Sequence, residues 1–127
     1  MFTTDRAFSG FSVDDIDAAR SFYRDILGLE TVDDEMGFFS LRLASGASVF
    51  VYPKPNHEPA SFTILNFPVA DVGAAVDELN AKGVVTKIYS DDEFPTDSKG
   101  IMHEQGPEIA WFRDPAGNVL AVLEASA

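Results

Sequence analysis

Cysteine is absent from this 127-residue chain, which excludes a disulfide framework and any thiolate metal site. Histidine is almost as scarce. His57 and His103 are the two present, so imidazole chemistry has two places to sit. Basic residues are few: 9 Lys and Arg stand against 21 Asp and Glu, a formal charge of −12. A surface this acidic repels phosphate backbones, so no nucleic-acid partner is expected. The acidity serves solubility and also suits a cationic ligand. No apolar run approaches the roughly 18 residues of a membrane span. Met1-Phe2-Thr3-Thr4-Asp5-Arg6 lacks the basic start and apolar stretch of a signal peptide. A cytoplasmic protein without membrane contact is the expectation. What is present is apolar and aromatic material, 46% hydrophobic residues with 11 Phe, enough for a core in one domain of this length.

Along the chain, Ala7–Val13 reads as a strand. Asp14 or Asp15 can cap a following helix, because a short side-chain oxygen accepts from the free N–H groups of the first turn. Ile16, Ala19, Tyr23, Ile26 and Leu27 fall on one helical face, and Gly28 stands where a left-handed C-cap residue belongs. Three short strands are expected next, at Glu30–Asp33, Phe38–Leu43 and Ala47–Tyr52. Pro53, Pro55 and Pro59 then make residues 53–59 a linker, since proline neither donates to a ladder nor continues a helix. The order repeats beyond it. Ser61–Val69 reads as a strand, and Asp71 caps a helix with Val72, Ala75, Val76 and Leu79 on one face, closed by Gly83. Val84–Tyr89 is expected as a strand. Ile109–Arg113 and Val119–Leu123 form a hairpin around Asp114-Pro115-Ala116-Gly117-Asn118.

The repeat is arithmetical. Val13-Asp14-Asp15-Ile16 and Val69-Ala70-Asp71-Val72 are offset by 56 residues, while Gly46 and Gly117 are offset by 71, which also carries Arg42 onto Arg113. The second copy is therefore longer by 15 residues, the difference of the two offsets. The extra length lies within residues 90–107, a polar segment long enough to suggest a role of its own. A single α+β domain over residues 1–127 is expected. Its first βαβββ module covers about residues 4–53, and its second covers about residues 60–127.

Val13-x-Asp15-x-x-x-Ala19-x-x-Phe22-Tyr23, then Leu27-Gly28-Leu29, and Trp111-Phe112-Arg113-Asp114-Pro115-Ala116-Gly117-Asn118 resemble the module signatures of the vicinal oxygen chelate superfamily of glyoxalases, bleomycin-resistance proteins and extradiol dioxygenases. The resemblance covers nearly the whole chain. It implies two modules whose sheets bend into an open, incomplete barrel around a ligand cavity with helices outside, and it implies a homodimer. In many such proteins a divalent metal, held by His, Gln or Glu on the first and last strands of each module, polarises substrate oxygens. Carried over residue by residue, those positions fall on Phe8, Phe50, Ile64 and Ala121. None of these side chains can ligate a cation. A register shift of two residues brings Arg6, Gly10, Ser48, Tyr52, Phe62, Asn66, Val119 and Leu123, which make no metal site either. No cofactor is therefore expected, while His103 with Glu104 and Glu108 leaves a displaced metal site open.

Strand alternation turns Phe11, Val13, Leu65, Phe67 and Val69 towards the helices. The opposite faces then line a ligand cavity with Phe8, Ser12, Phe38, Ser40, Arg42, Phe50, Tyr52, Ile64, Asn66, Trp111, Ala121 and Leu123, an aromatic pocket with a few polar groups. Each of these can equally be core or rim. Three functions remain. The first is a metal-free protein binding a small, partly aromatic molecule. The second is an enzyme of the lyase/isomerase or dioxygenase type, with a displaced metal or with His103, Glu104, Glu108 and Tyr52 as acid/base groups. The third is an interaction or regulatory domain.

Overall fold

A computed structural model of the protein describes residues 1–104 and 106–125. Its chain divides into two compact units, Met1–Pro59 and Ala60–Ala127, and the boundary falls at the end of the proline-rich linker. The strands form two separate four-stranded sheets, one per unit, rather than one closed ladder. No helix among the described residues is long and apolar enough to cross a membrane.

The first unit runs β1 (Ser9–Val13), α1 (Ile16–Ser21), β2 (Glu30–Asp33), β3 (Phe39–Arg42) and β4 (Ser48–Pro53), with sheet order β1-β4-β3-β2. β1 is parallel to β4, and the other pairs are antiparallel. Asp15 caps α1, its carboxylate accepting from the Asp17 and Ala18 N–H groups at 3.1 Å. The regular helix expected through Leu27 instead widens into a π-helical turn over Phe22–Ile26, closed by the Leu27 N–H on the Phe22 carbonyl. Phe22 and Tyr23 are both buried there. Gly28, at φ +71°, reverses the chain. The core lies between helix and sheet, where Val13, Ala19, Tyr23, Phe39, Leu41 and Val51 are buried. Phe11 packs on Tyr23 at 5.8 Å between ring centroids, so this face points as alternation predicts. Arg20 ties the layers together, holding Asp33 and the Gly37 carbonyl while its guanidinium lies over Phe39.

The second unit runs β5 (Thr63–Val69), α2 (Val72–Ala81), β6 (Ile101–Met102), β7 (Ile109–Arg113) and β8 (Val119–Glu124), in the order β5-β8-β7-β6. Asp71 caps α2 through the Ala74 N–H. Val72, Val76 and Leu79 bury their side chains, and Phe112, Leu120 and Val122 are buried in the sheet. One expectation is corrected here. Val84–Tyr89 is not a strand, and the second strand of the module is the two-residue β6, inside the segment read as an insertion. The physical reason lies in Thr86, buried and hydrogen-bonded through Oγ1 to the Lys99 carbonyl at 2.6 Å while accepting from Asn80 Nδ2. The chain after Gly83 is held by side-chain contacts and leaves the pairing with β7 to Ile101 and Met102. β5 is irregular near its start. The register slips between Thr63 and Leu65, so Ile64 sits in a bulge where alternation no longer fixes its face.

Candidate functional site

In the first unit the sheet face opposite α1 carries an aromatic group centred on Phe50. β4 presents Phe50 and Tyr52 two residues apart on one face, and their rings stack at 5.7 Å with planes 20° apart. Phe8 approaches Phe50 edge-on at 6.3 Å and Phe38 does so at 6.0 Å. Phe8 is 67% exposed, while Phe38, Phe50 and Tyr52 are half-buried. Gly10 stands beside Phe50 in the ladder, where a Cβ would come within 3.2 Å of the Phe50 carbonyl oxygen. Ser40 flanks Phe50 on β3, and Ser12 flanks Tyr52 on β1. Arg42 lies exposed at the far end of β3, in register with Glu30.

Polar chemistry on this face comes from a residue that sequence reasoning left in the linker. Ser12 Oγ and His57 Nδ1 lie 2.6 Å apart. The Lys54 N–H donates to the Val13 carbonyl at 2.9 Å, and the His57 N–H donates to the Lys54 carbonyl at 3.0 Å. That turn, between Pro53 and Pro59, brings the imidazole back onto β1. The only forewarning in the sequence was a histidine held between prolines.

The second unit has an aromatic group of its own. Asn66, Ala121 and Trp111 form one cross-strand row, and Leu123 lies between Pro68 and Ile109 in the next. Asn66 is exposed and Leu123 half-buried, but Ala121 is fully buried, so its methyl group offers no accessible surface. Trp111 is packed by two rings that sequence reasoning missed. Phe94 stacks on it at 5.2 Å with planes 28° apart, Tyr89 meets it edge-on at 5.4 Å, and Tyr89 and Phe94 touch at 4.9 Å. Phe94 comes from the long polar segment, where a lone aromatic among acidic residues was the available signal. Lys87 steadies this stretch by donating to Asp91 at 2.7 Å and to the Thr96 carbonyl at 3.1 Å.

The acid/base candidates are placed differently. His103 sits between two carboxylates, with Nε2 2.8 Å from Asp97 and Nδ1 2.6 Å from Glu108. The Asp97 hydrogen bond, aided by Glu108, raises its pKa against the opposing effect of burial. Burial pushes the Asp97 carboxyl up, but hydrogen bonds from His103 and from the Ile101 and Lys99 N–H groups bring it down overall. With a carboxylate at each ring nitrogen, the protonated imidazole donates to both and ties the Asp97 turn to Glu108, just before β7. A group so engaged is poorly suited to accept a proton. Glu104 is exposed beyond β6, and Tyr52 belongs to the other unit. The Asp114 turn is likewise structural. Its buried carboxylate accepts from the Ala116 and Asn118 N–H groups at 2.9 Å and from Asn118 Nδ2 at 3.0 Å.

Two βαβββ units with these turns match a known family model over residues 7–122, that of the Glyoxalase/Bleomycin resistance protein/Dioxygenase superfamily. The chain belongs to this superfamily. Among solved structures, an antibiotic binding protein from a Streptomyces species, TnmS3, is similar at TM-score 0.71 and 22% identity, with 98% of this chain and 100% of that one covered. Lactoylglutathione lyase from Agrobacterium tumefaciens is similar at TM-score 0.65 and 21% identity, covering 94% and 93%. A superfamily member from Sphaerobacter thermophilus is similar at TM-score 0.67 and 22% identity, covering 93% and 96%. At these identities the likeness speaks for the fold. No curated protein matches the chain.

The metal that this superfamily often carries does not fit the donor set. Phe8 and Phe50 pack ring on ring, Ile64 occupies a bulge and Ala121 is buried. None of the four brings an oxygen or imidazole donor. Among the described residues no group of three His, Asp or Glu side chains is arranged to hold a metal ion.

Proposed function

We propose that this chain binds a small, partly aromatic molecule through its aromatic faces, without a divalent metal. The observation that carries the reading is the Phe50 group, four aromatic rings in contact with the outermost, Phe8, 67% exposed. Exposed aromatic surface beside a few polar groups suits a planar ligand that brings its own hydrogen-bonding edge. The Trp111 group adds a second platform of the same chemistry, and the net charge of −12 favours a cationic ligand over an anionic one. Similarity to an antibiotic binding protein supports the class of ligand. The alternative lyase or isomerase with a displaced metal has less support, because the carboxylates around His103 are engaged in clamping it. The reading includes a cytoplasmic homodimer. Exposed Phe62 and Val85, 69% and 65% accessible, favour a partner surface, and light scattering on the purified protein tests it.

The test is a titration of metal-free protein with planar cationic, neutral and anionic aromatics, read by thermal shift and by emission of Trp111, the sole tryptophan. Cationic or neutral aromatics are expected to raise stability by about 2.7 kcal/mol at a hundredfold excess over Kd. Phe50→Ala is expected to weaken binding about tenfold or more, the loss of a ring contact with its buried area. A shift that needs added divalent metal, or stoichiometric Mn, Fe, Zn or Ni in tag-free protein, overturns the metal-free reading.

A further inference from the structure

Ser12 and His57 have no part in the fold signature of the superfamily, yet the chain brings them together with some precision of means. Ser12 is fixed by its β1–β4 pairing opposite Tyr52. His57 reaches it across 45 residues of sequence on a turn held by two backbone hydrogen bonds and flanked by prolines. A rigid turn of this kind lowers the entropy lost in holding the imidazole at one place. The contact is 2.6 Å, within the range of an O–H···N hydrogen bond, and both side chains are half-buried. A hydroxyl nucleophile and an imidazole within hydrogen-bond reach are the two parts that acyl transfer requires. The stacked rings of Phe50 and Tyr52 lie on the same face, where they can hold an aryl group against the pair.

We propose that Ser12 and His57 form a nucleophile–base pair that takes the acyl group of an aryl ester. The substrate class rests on the aromatic binding face proposed above. The neutral imidazole, with its proton on Nε2, accepts the Ser12 hydroxyl proton at Nδ1. Ser12 Oγ attacks the ester carbonyl carbon, the carbonyl carbon–aryl oxygen bond breaks, and the proton on His57 passes to the departing aryl oxygen. Water then attacks the acyl-Ser12 carbonyl as His57 takes its proton, releasing the acid and returning the hydrogen to Ser12. The step needs no metal, oxidant or cofactor. Ser12 is the catalytic nucleophile and His57 the catalytic base.

The full chain is tested with p-nitrophenyl acetate. Release of p-nitrophenol above the buffer rate is expected, together with a single acetyl group that peptide mass analysis places on Ser12. His57→Gln keeps a hydrogen-bonding side chain but loses the base, and slows acylation by roughly 10²–10⁴-fold. Ser12→Ala abolishes the adduct, and Ser12→Cys restores one, now a thioester at the only cysteine in the chain. Exposed Ser98 in the other unit serves as the control through Ser98→Ala, which leaves the rate unchanged. A thermal shift with p-nitroacetanilide, an aryl amide, follows binding separately. No acetylation of Ser12, or acetylation confined to Lys54 or Tyr52, overturns the pair as a catalyst. If the amide still binds, the failure is confined to the dyad. If the amide does not bind either, the aromatic face fails with it. Loss of thermal stability in Ser12→Ala and His57→Gln with no adduct in the unaltered chain identifies the contact as a strut for the linker and also overturns the proposal.

Discussion

Replacing Gly100 by alanine tests whether the long segment after α2 is clasped or merely laid against the sheet. Gly100 has φ +88°, and a Cβ there would lie 1.9 Å from the Thr86 carbonyl oxygen and 2.5 Å from its carbonyl carbon. Both atoms are backbone, so the clash is relieved only by parting the two stretches of chain. Two costs combine. The left-handed conformation costs a side-chain-bearing residue roughly 1–2 kcal/mol. Separation also breaks the 2.6 Å bond from the Thr86 hydroxyl to the Lys99 carbonyl, and losing a partner for a buried polar group costs about 1–3 kcal/mol. The expected loss is therefore about 2–5 kcal/mol, a large share of the roughly 5–15 kcal/mol that holds a domain of this kind. Gly83→Ala is the matched control, because φ is +86° and a Cβ there would meet nothing within 4 Å. It should lose only the conformational part. The assay is chemical unfolding followed by far-ultraviolet circular dichroism and by Trp111 emission. Gly100→Ala should unfold at clearly lower denaturant than Gly83→Ala, with the emission changing first as Phe94 leaves the indole. Equal midpoints for the two variants would refute the clasp.

The remaining expectations concern the clamp and the hairpin turn. His103 should titrate above the ordinary 6.5 in an NMR pH series, chiefly through its hydrogen bond with Asp97. A histidine with a raised folded pKa stabilises the protein fully below its unfolded pKa, and that contribution is lost as pH rises through the folded value. His103→Gln should therefore lose stability mainly on the acid side of that step, and a pH-independent difference would remove the ion pairs from the account. Asp97 carries the opposite sign. Its lowered pKa gives stability above the unfolded value that is lost as pH falls through the folded one. In Asn118→Ala the buried Asp114 carboxylate loses the Asn118 Nδ2 donor, and thermal unfolding should reveal a cost of about 1–3 kcal/mol. A change within 0.5 kcal/mol, the size of an ordinary surface substitution, would show that Asp114 is satisfied without the Asn118 amide.

Much of the fold was written locally and could be read so. Asp15 and Asp71 cap helices because the first turn of any helix has free N–H groups, whatever surrounds it. Phe11, Val13, Phe50 and Tyr52 face as their alternation requires, because a paired strand leaves a side chain two choices of face. The same logic does not reach Ile64, where one extra residue in the ladder breaks the alternation without any residue type announcing it. It failed at Val84–Tyr89. That stretch has strand-forming residues, but whether it pairs depends on what lies beside it, and there it meets Lys99 and Gly100 rather than a ladder.

The sequence by itself determined the doubled module, the caps and turns, the superfamily, and the apolar character of the four positions where a metal would sit. These depend on residue type and spacing along the chain. Only the tertiary structure decided that Phe94 stacks on Trp111, that His103 is shared between Asp97 and Glu108, and that His57 returns to Ser12. Each of these joins a loop residue to a partner elsewhere, and loops carry no periodicity from which a partner can be inferred. Their conformations are set by many weak contacts acting together, and those contacts exist only once the chain has folded.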